Sequence, residues 1–174
     1  MHGVPAVVLN GRLDILASNA LGRALFSPVY AAGGETPNNA RFVFLDSQAA
    51  SFFREWEKVA DDTVALLRAE AGRDPYDREL SDLVGELSTR SEDFGVRWAS
   101  HDVRIHNTGV NLVHHPVVGD LDLPFESLPL EVGASSSLVA YVPEPGSASD
   151  DALAVLASWA VSTSSNDQPS RDPI

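Results

Sequence analysis

Three features of the sequence predict an α+β fold in which helices pack on one face of an antiparallel sheet. Apolar residues alternate with polar ones near both ends of the chain, and they recur at steps of three and four between residues 47 and 98. A length of 174 residues is that of a single compact domain with a substantial core. An early pair of strands, a helical middle and a late set of strands combine most simply as one sheet covered on one side.

Ala6-Val7-Val8-Leu9 forms the first strand, Asn10-Gly11 supplies a type I′ hairpin turn, and Leu13, Ile15 and Ala17 carry the returning strand. Asn19 is placed to cap a short helix through Leu21, Ala24 and Leu25 that ends before Pro28. Ala31 to Asn39, rich in Gly, Pro and Asn, is expected to be a mobile surface loop. One helix is predicted from Ser47 to Glu70, capped by Asp46 or Ser47, with Phe52, Phe53, Trp56, Val59, Val64 and Leu67 on its buried face. Gly72 and Asp74-Pro75 stop it. Asp77 opens a second helix around Leu80, Leu83, Val84 and Leu87, and Ser91 caps a third that carries Phe94 and Trp98 and ends near His101.

The period then returns to two. Val103 and Ile105 face Val110 and Leu112 across a turn at Asn107-Thr108-Gly109, which predicts a second hairpin. Leu121, Leu123 and Phe125 alternate with Asp120, Asp122 and Glu126, and Ser137 to Val142 is the last strand. Asp150 and Asp151 start a terminal helix through Leu153, Leu156 and Trp159. Residues 1–161 therefore read as one domain, and residues 162–174 as a disordered polar tail.

Composition narrows the function. With 25 acidic against 12 basic residues the net charge is -13, and no Lys or Arg occurs between Arg104 and Arg171, so the chain itself is a poor ligand for phosphate backbones. The absence of cysteine excludes disulfides, thiolate metal sites and cysteine nucleophiles, and fits a reducing compartment. No apolar run approaches the roughly 20 residues of a membrane span, and the N-terminus lacks a secretory signal. A soluble cytoplasmic protein without membrane contact is expected.

No strong catalytic pattern emerges. His114 and His115 are adjacent on a strand and point to opposite faces, so they do not share a metal ion, and no metal cofactor is expected. His101-Asp102 could form an acid–base pair, but a histidine capping a helix C-terminus explains it as well, and no nucleophile elbow accompanies it. No Gly-x-Gly-x-x-Gly or Walker loop is present. The chain is read as a non-enzyme with no catalytic residues. Large rings dominate cores of this size, yet two tryptophans on neighbouring helices facing a sheet would also suit a long apolar ligand.

Several ordered stretches carry a resemblance. Leu83 to Ser91 followed by Phe94, Trp98-Ala99-Ser100-His101-Asp102-Val103, His115-Pro116-Val117-Val118-Gly119 and Tyr141-Val142-Pro143-Glu144-Pro145-Gly146-Ser147 resemble the ligand-binding domain of MmyB-like transcription regulators. Asn10 to Asn19, Asn39 to Asp46 and the helix bearing Trp56 and Arg68 look like the same family, so the likeness spans about Pro5 to Ala157. The resemblance implies a PAS-like domain that senses a hydrophobic small molecule, with fatty acids the leading example, in a bacterial regulator of the XRE type. DNA would be met only through a helix-turn-helix, which this chain is expected to lack. On that basis Phe53, Trp56, Leu87, Phe94 and Trp98 are expected to line the pocket, with Arg90, His101, His115 and Tyr141 as polar anchors. The alternative is a filled core in a module that serves mainly to form a homodimer.

Overall fold

The computed structural model of the protein describes residues 3–100, 108–131 and 135–166. Its centre is an antiparallel sheet in the order β2-β1-β5-β4-β3, formed by β1 (Ala6–Leu9), β2 (Ile15–Ser18), β3 (Thr108–His115), β4 (Gly119–Pro129) and β5 (Ser137–Tyr141). The two ends of the chain meet where β1 pairs with β5 and Val7 lies opposite Val139. Register puts Val7, Val113, Leu121, Leu123, Val139 and Tyr141 on one face, and all are buried. That face is covered by α1 (Ala20–Leu25), α4 (Ala49–Phe52) and α8 (Ala148–Asn166), which contribute Leu25, Phe52, Leu153 and Leu156 to the same core. On the opposite face Val110, Leu128 and Val142 are exposed. The fold is α+β with helices on one face, as the hydrophobic periods predict.

The remaining helices are α2 (Ser27–Ala31), α3 (Asn39–Leu45), α5 (Trp56–Arg73), α6 (Arg78–Arg90) and α7 (Glu92–Ala99). A second core joins α5 to α7 through Val64, Leu67, Leu83, Leu87 and Phe94 and takes in Leu13 from the first hairpin. Three of the expected caps are present: the side chains of Asn19, Asp77 and Ser91 accept from the amides of Gly22 (2.7 Å), Leu80 (3.1 Å) and Phe94 (3.2 Å). The cap expected from Asp46 or Ser47 is not formed, since α4 starts after Gln48 with no side-chain cap and the Asp46 side chain accepts from the Gln48 amide instead.

Several expectations change. The first hairpin forms, but not through a two-residue turn, because Leu9 pairs with Ile15 and leaves a five-residue loop. Within it the Asn10 carboxamide accepts from the amides of Arg12 and Asp14, both at 3.0 Å, and Leu13 rather than Gly11 takes the positive φ of 65°. Burying the Leu13 side chain in the second core offsets the ~1–2 kcal/mol cost of that backbone. The predicted helix from Ser47 to Glu70 is two helices. At the break, Phe53 forms an isolated bridge with Val113, and the Arg54 amide donates to the Leu112 carbonyl at 2.9 Å. The first helix ends before Pro28 and residues 32–38 form a loop, both as expected, but the unexpected α2 lies between them with Pro28 in its first turn, and Asn38 caps α3 through Arg41 N at 2.9 Å.

The turn expected at Asn107-Thr108-Gly109 is not there. Thr108 and Gly109 already lie in β3, paired with Glu126 and Phe125, and the chain reverses between His115 and Gly119 instead. Val103 and Ile105 lie outside the described residues. At the other end α8 continues to Asn166, five residues into the stretch read as a polar tail, and there the Ser162 and Thr163 hydroxyls donate back to the carbonyls of Ser158 and Trp159 at 3.1 and 3.2 Å.

Candidate functional site

Inward-facing residues decide where the sheet leaves space. Near the reversal between β3 and β4 they are Val113, His115, Leu121 and Leu123, which fill the volume under α1, α4 and α8. Towards the other end of β3 and β4, and at the start of β5, they include Gly109, Ser127 and Ser137, which are small and line open space. A cavity of about 670 Å³ results between the sheet and α5, within the range of roughly 300–1,000 Å³ common for small-molecule sites.

One stripe of α5 forms the roof, including Lys58, Val59, Thr63, Leu66, Glu70 and Arg73, at the spacing that places residues on one side of a helix. The floor is formed by Asn111, Phe125, Val139 and Tyr141 with Leu9. Gly109 has a packing reason: a Cβ there would lie 3.1 Å from the Phe125 ring, which leans over β3. At the C-terminal end of α5, Arg73 donates to buried Glu70 at 2.9 Å and to Ser135 Oγ at 2.8 Å. Gly11 lies directly on the Glu70 carboxyl, and a Cβ there would overlap it. The Asn39 Oδ1 is buried without a hydrogen-bond partner among the described residues, and Asn39 also lines this cavity. Burial raises the Tyr141 phenol well above its ordinary range, so it stays neutral, with Asn111 as its polar neighbour.

Of the eight expected site residues that the structure describes, Tyr141 alone lines this cavity. Phe53 is buried in the aromatic cluster with Phe42 and Phe52, at centroid distances of 6.0 and 4.9 Å. Trp56 packs edge-on against Phe44 and donates from Nε1 to the Val43 carbonyl at 2.9 Å. Leu87 and Phe94 belong to the second core, where Trp98 stacks on Phe94 and Arg68 stacks on Trp98. Arg90 is on the surface, paired with Glu86 at 2.9 Å. His101, with Asp102, lies outside the described residues. The large rings thus go where they fill space. Apart from Phe125 and Tyr141 in its floor, the cavity is lined by aliphatic, small polar and charged residues, and its sequence signal is the glycine and serines on the inward positions of the late strands.

His114 and His115 do face opposite ways. Exposed His114 meets Asp120 at 2.6 Å, while His115 is buried. The Val117 amide donates to His115 Nδ1 at 3.1 Å, which leaves Nε2 carrying the proton that it gives to the Ala24 carbonyl at 3.0 Å. Burial holds this imidazole below its ordinary pKa, so the folded state keeps it neutral. Its contribution to stability is complete above the unfolded value of about 6.5 and is lost as the pH falls through the depressed folded value. Melting temperature measured from pH 8 to 5 should therefore drop less in His115→Gln than in the parent protein. Parallel curves would contradict the assignment.

Among the described residues no helix is long and apolar enough to cross a membrane, and no three His, Cys, Asp or Glu side chains are grouped to hold a metal ion. A family model described as the MmyB-like transcription regulator ligand binding domain matches residues 1–156. No curated protein matches the chain.

Proposed function

Because the chain belongs to the family of MmyB-like transcription regulator ligand-binding domains, we propose that it is the effector-sensing part of a bacterial regulator and that its effector, a fatty-acid-like molecule, occupies the cavity under α5. The cavity carries this reading: its volume suits a small molecule, and Val59, Leu66, Phe125 and Val139 offer apolar contact. Each methylene buried there contributes about 0.8 kcal/mol. The strand order β2-β1-β5-β4-β3 supports a PAS-like description of the domain. Sensing needs no chemistry, since a ligand that prefers one arrangement of the helices shifts the population towards it. Contact with DNA falls to a helix-turn-helix unit of the XRE type, in keeping with the net charge of -13 on this chain, and the cytoplasm is where such a regulator works.

Self-association is the second reading, favoured by exposed Val110, Leu128 and Val142 on the outer face of the sheet. Native mass spectrometry of the purified protein separates the two: a co-purifying lipid supports sensing, and an empty stable dimer supports assembly. Leu66 lines the cavity yet is 39% exposed, so it can be enlarged without disturbing the core. Leu66→Trp is expected to reduce binding of a fatty acid, measured by calorimetry, at least tenfold with little change in melting temperature. Unchanged affinity would place the ligand elsewhere.

A further inference from the structure

The cavity has basic groups of two kinds. Arg73 is engaged, held by Glu70 and Ser135. Lys58, the only lysine in the sequence, has no ion-pair or hydrogen-bond partner among the described residues. It lies in the first turn of α5, next to Val59 and one turn before Asp62 and Thr63, all of which line the same space. Lys58 is exposed, and its place in the stripe that lines the cavity puts it at the rim, where its side chain can reach both solvent and the cavity mouth. We propose that Lys58 fixes the head group of an anionic amphiphile, and that the head group is a carboxylate.

This inference rests on the reading of the cavity as the ligand site. A lysine combines an apolar stem, which can lie along the rim, with a compact charge that reaches the polar end of a ligand. The surroundings also limit the anion. Glu55 and Asp62 border the cavity three residues before and four after Lys58, so a doubly charged phosphate would meet more repulsion than a single carboxylate. The arrangement assigns direction as well as chemistry: the head lies by the first turn of α5, and the chain runs along the stripe under Leu66 towards Ser137 and Val139.

The test compares decanoate with 1-decanol, which share a chain and differ in the charge of the head group, by calorimetry on the whole chain at low salt. The parent protein is expected to prefer decanoate by roughly tenfold, as a charge-assisted hydrogen bond allows. Lys58→Met keeps the apolar stem and should abolish that preference while binding decanol as before, and Lys58→Arg should retain most of it. The preference should also shrink as salt is raised. If the preference survives in Lys58→Met, or if the parent protein binds both compounds equally, the role of Lys58 is overturned while the cavity remains a ligand site. If neither compound binds the parent protein, the ligand reading fails and this assignment fails with it.

Discussion

Replacing Phe53 with alanine is expected to destabilise the fold by about 3–5 kcal/mol and to lower the melting temperature by roughly 6–20 °C. The ring is 2% exposed and packs edge-on against Phe42 and Phe52. Its backbone also bridges Val113, so a cavity here would open at the seam between the helical layer and the edge of the sheet. Thermal and urea denaturation followed by circular dichroism would measure the loss. A change below about 1 kcal/mol would mean that the site collapses easily and that the aromatic cluster is not a tightly packed core. Affinity for an apolar ligand should change only as far as the fold itself is lost, since Phe53 does not line the cavity.

Gly22→Ala should cost about 2–4 kcal/mol, a large effect for a single methyl group. A Cβ at Gly22 would overlap the Ala6 carbonyl oxygen and lie 3.0 Å from Asn19 Oδ1. The Asn19 side chain is a three-way tie: it accepts from Ala6 N at 3.1 Å and Gly22 N at 2.7 Å, and donates to the Val4 carbonyl at 2.7 Å. An added methyl separates α1 from β1 and loosens all three bonds. Gly85→Ala serves as the control, because a Cβ there meets nothing within 4 Å and the residue lies inside α6. That substitution should stabilise the protein by up to about 1 kcal/mol, through helix propensity alone. Equal effects from the two substitutions would mean that α1 does not sit against β1 as described.

The contrast between Phe53 and Tyr141 shows how far the sequence was legible. Caps and hydrophobic periods reveal α6, α7 and the strand at Ser137 because those signals are local: Asp77, Ser91 and the alternation each act within a few residues. The break between α4 and α5 is not local. Phe52, Phe53 and Trp56 keep helical spacing across it, and only the contacts of Phe53 and Arg54 with β3, some 60 residues away in the chain, divide the helix. Apolar ligand sites are likewise defined by what is missing. Aromatic residues are conspicuous in a sequence, but burial draws Phe53, Phe94 and Trp98 into the cores, and the space is left where Gly109, Ser127 and Ser137 are too small to fill it. Leu13 hides for a related reason, since alternation marks it as a strand residue while its positive φ sends it into the helical core.

Helix α5 behaves mechanically as a beam pinned near both ends. At one end the Arg54 amide and the Trp56 indole tie it to β3 and α3, and at the other Arg73 reaches Ser135 just before β5. Between these pins its sheet-facing side spans the cavity, while its other side carries α6 and α7 through Leu67, Leu83 and Phe94. A load placed at mid-span is therefore delivered to the two supports and to whatever rides on the beam. An occupant that lifts α5 would tilt α6 and α7 as one unit and pull on β3 and β5 together, turning local filling into a displacement of a whole side of the domain.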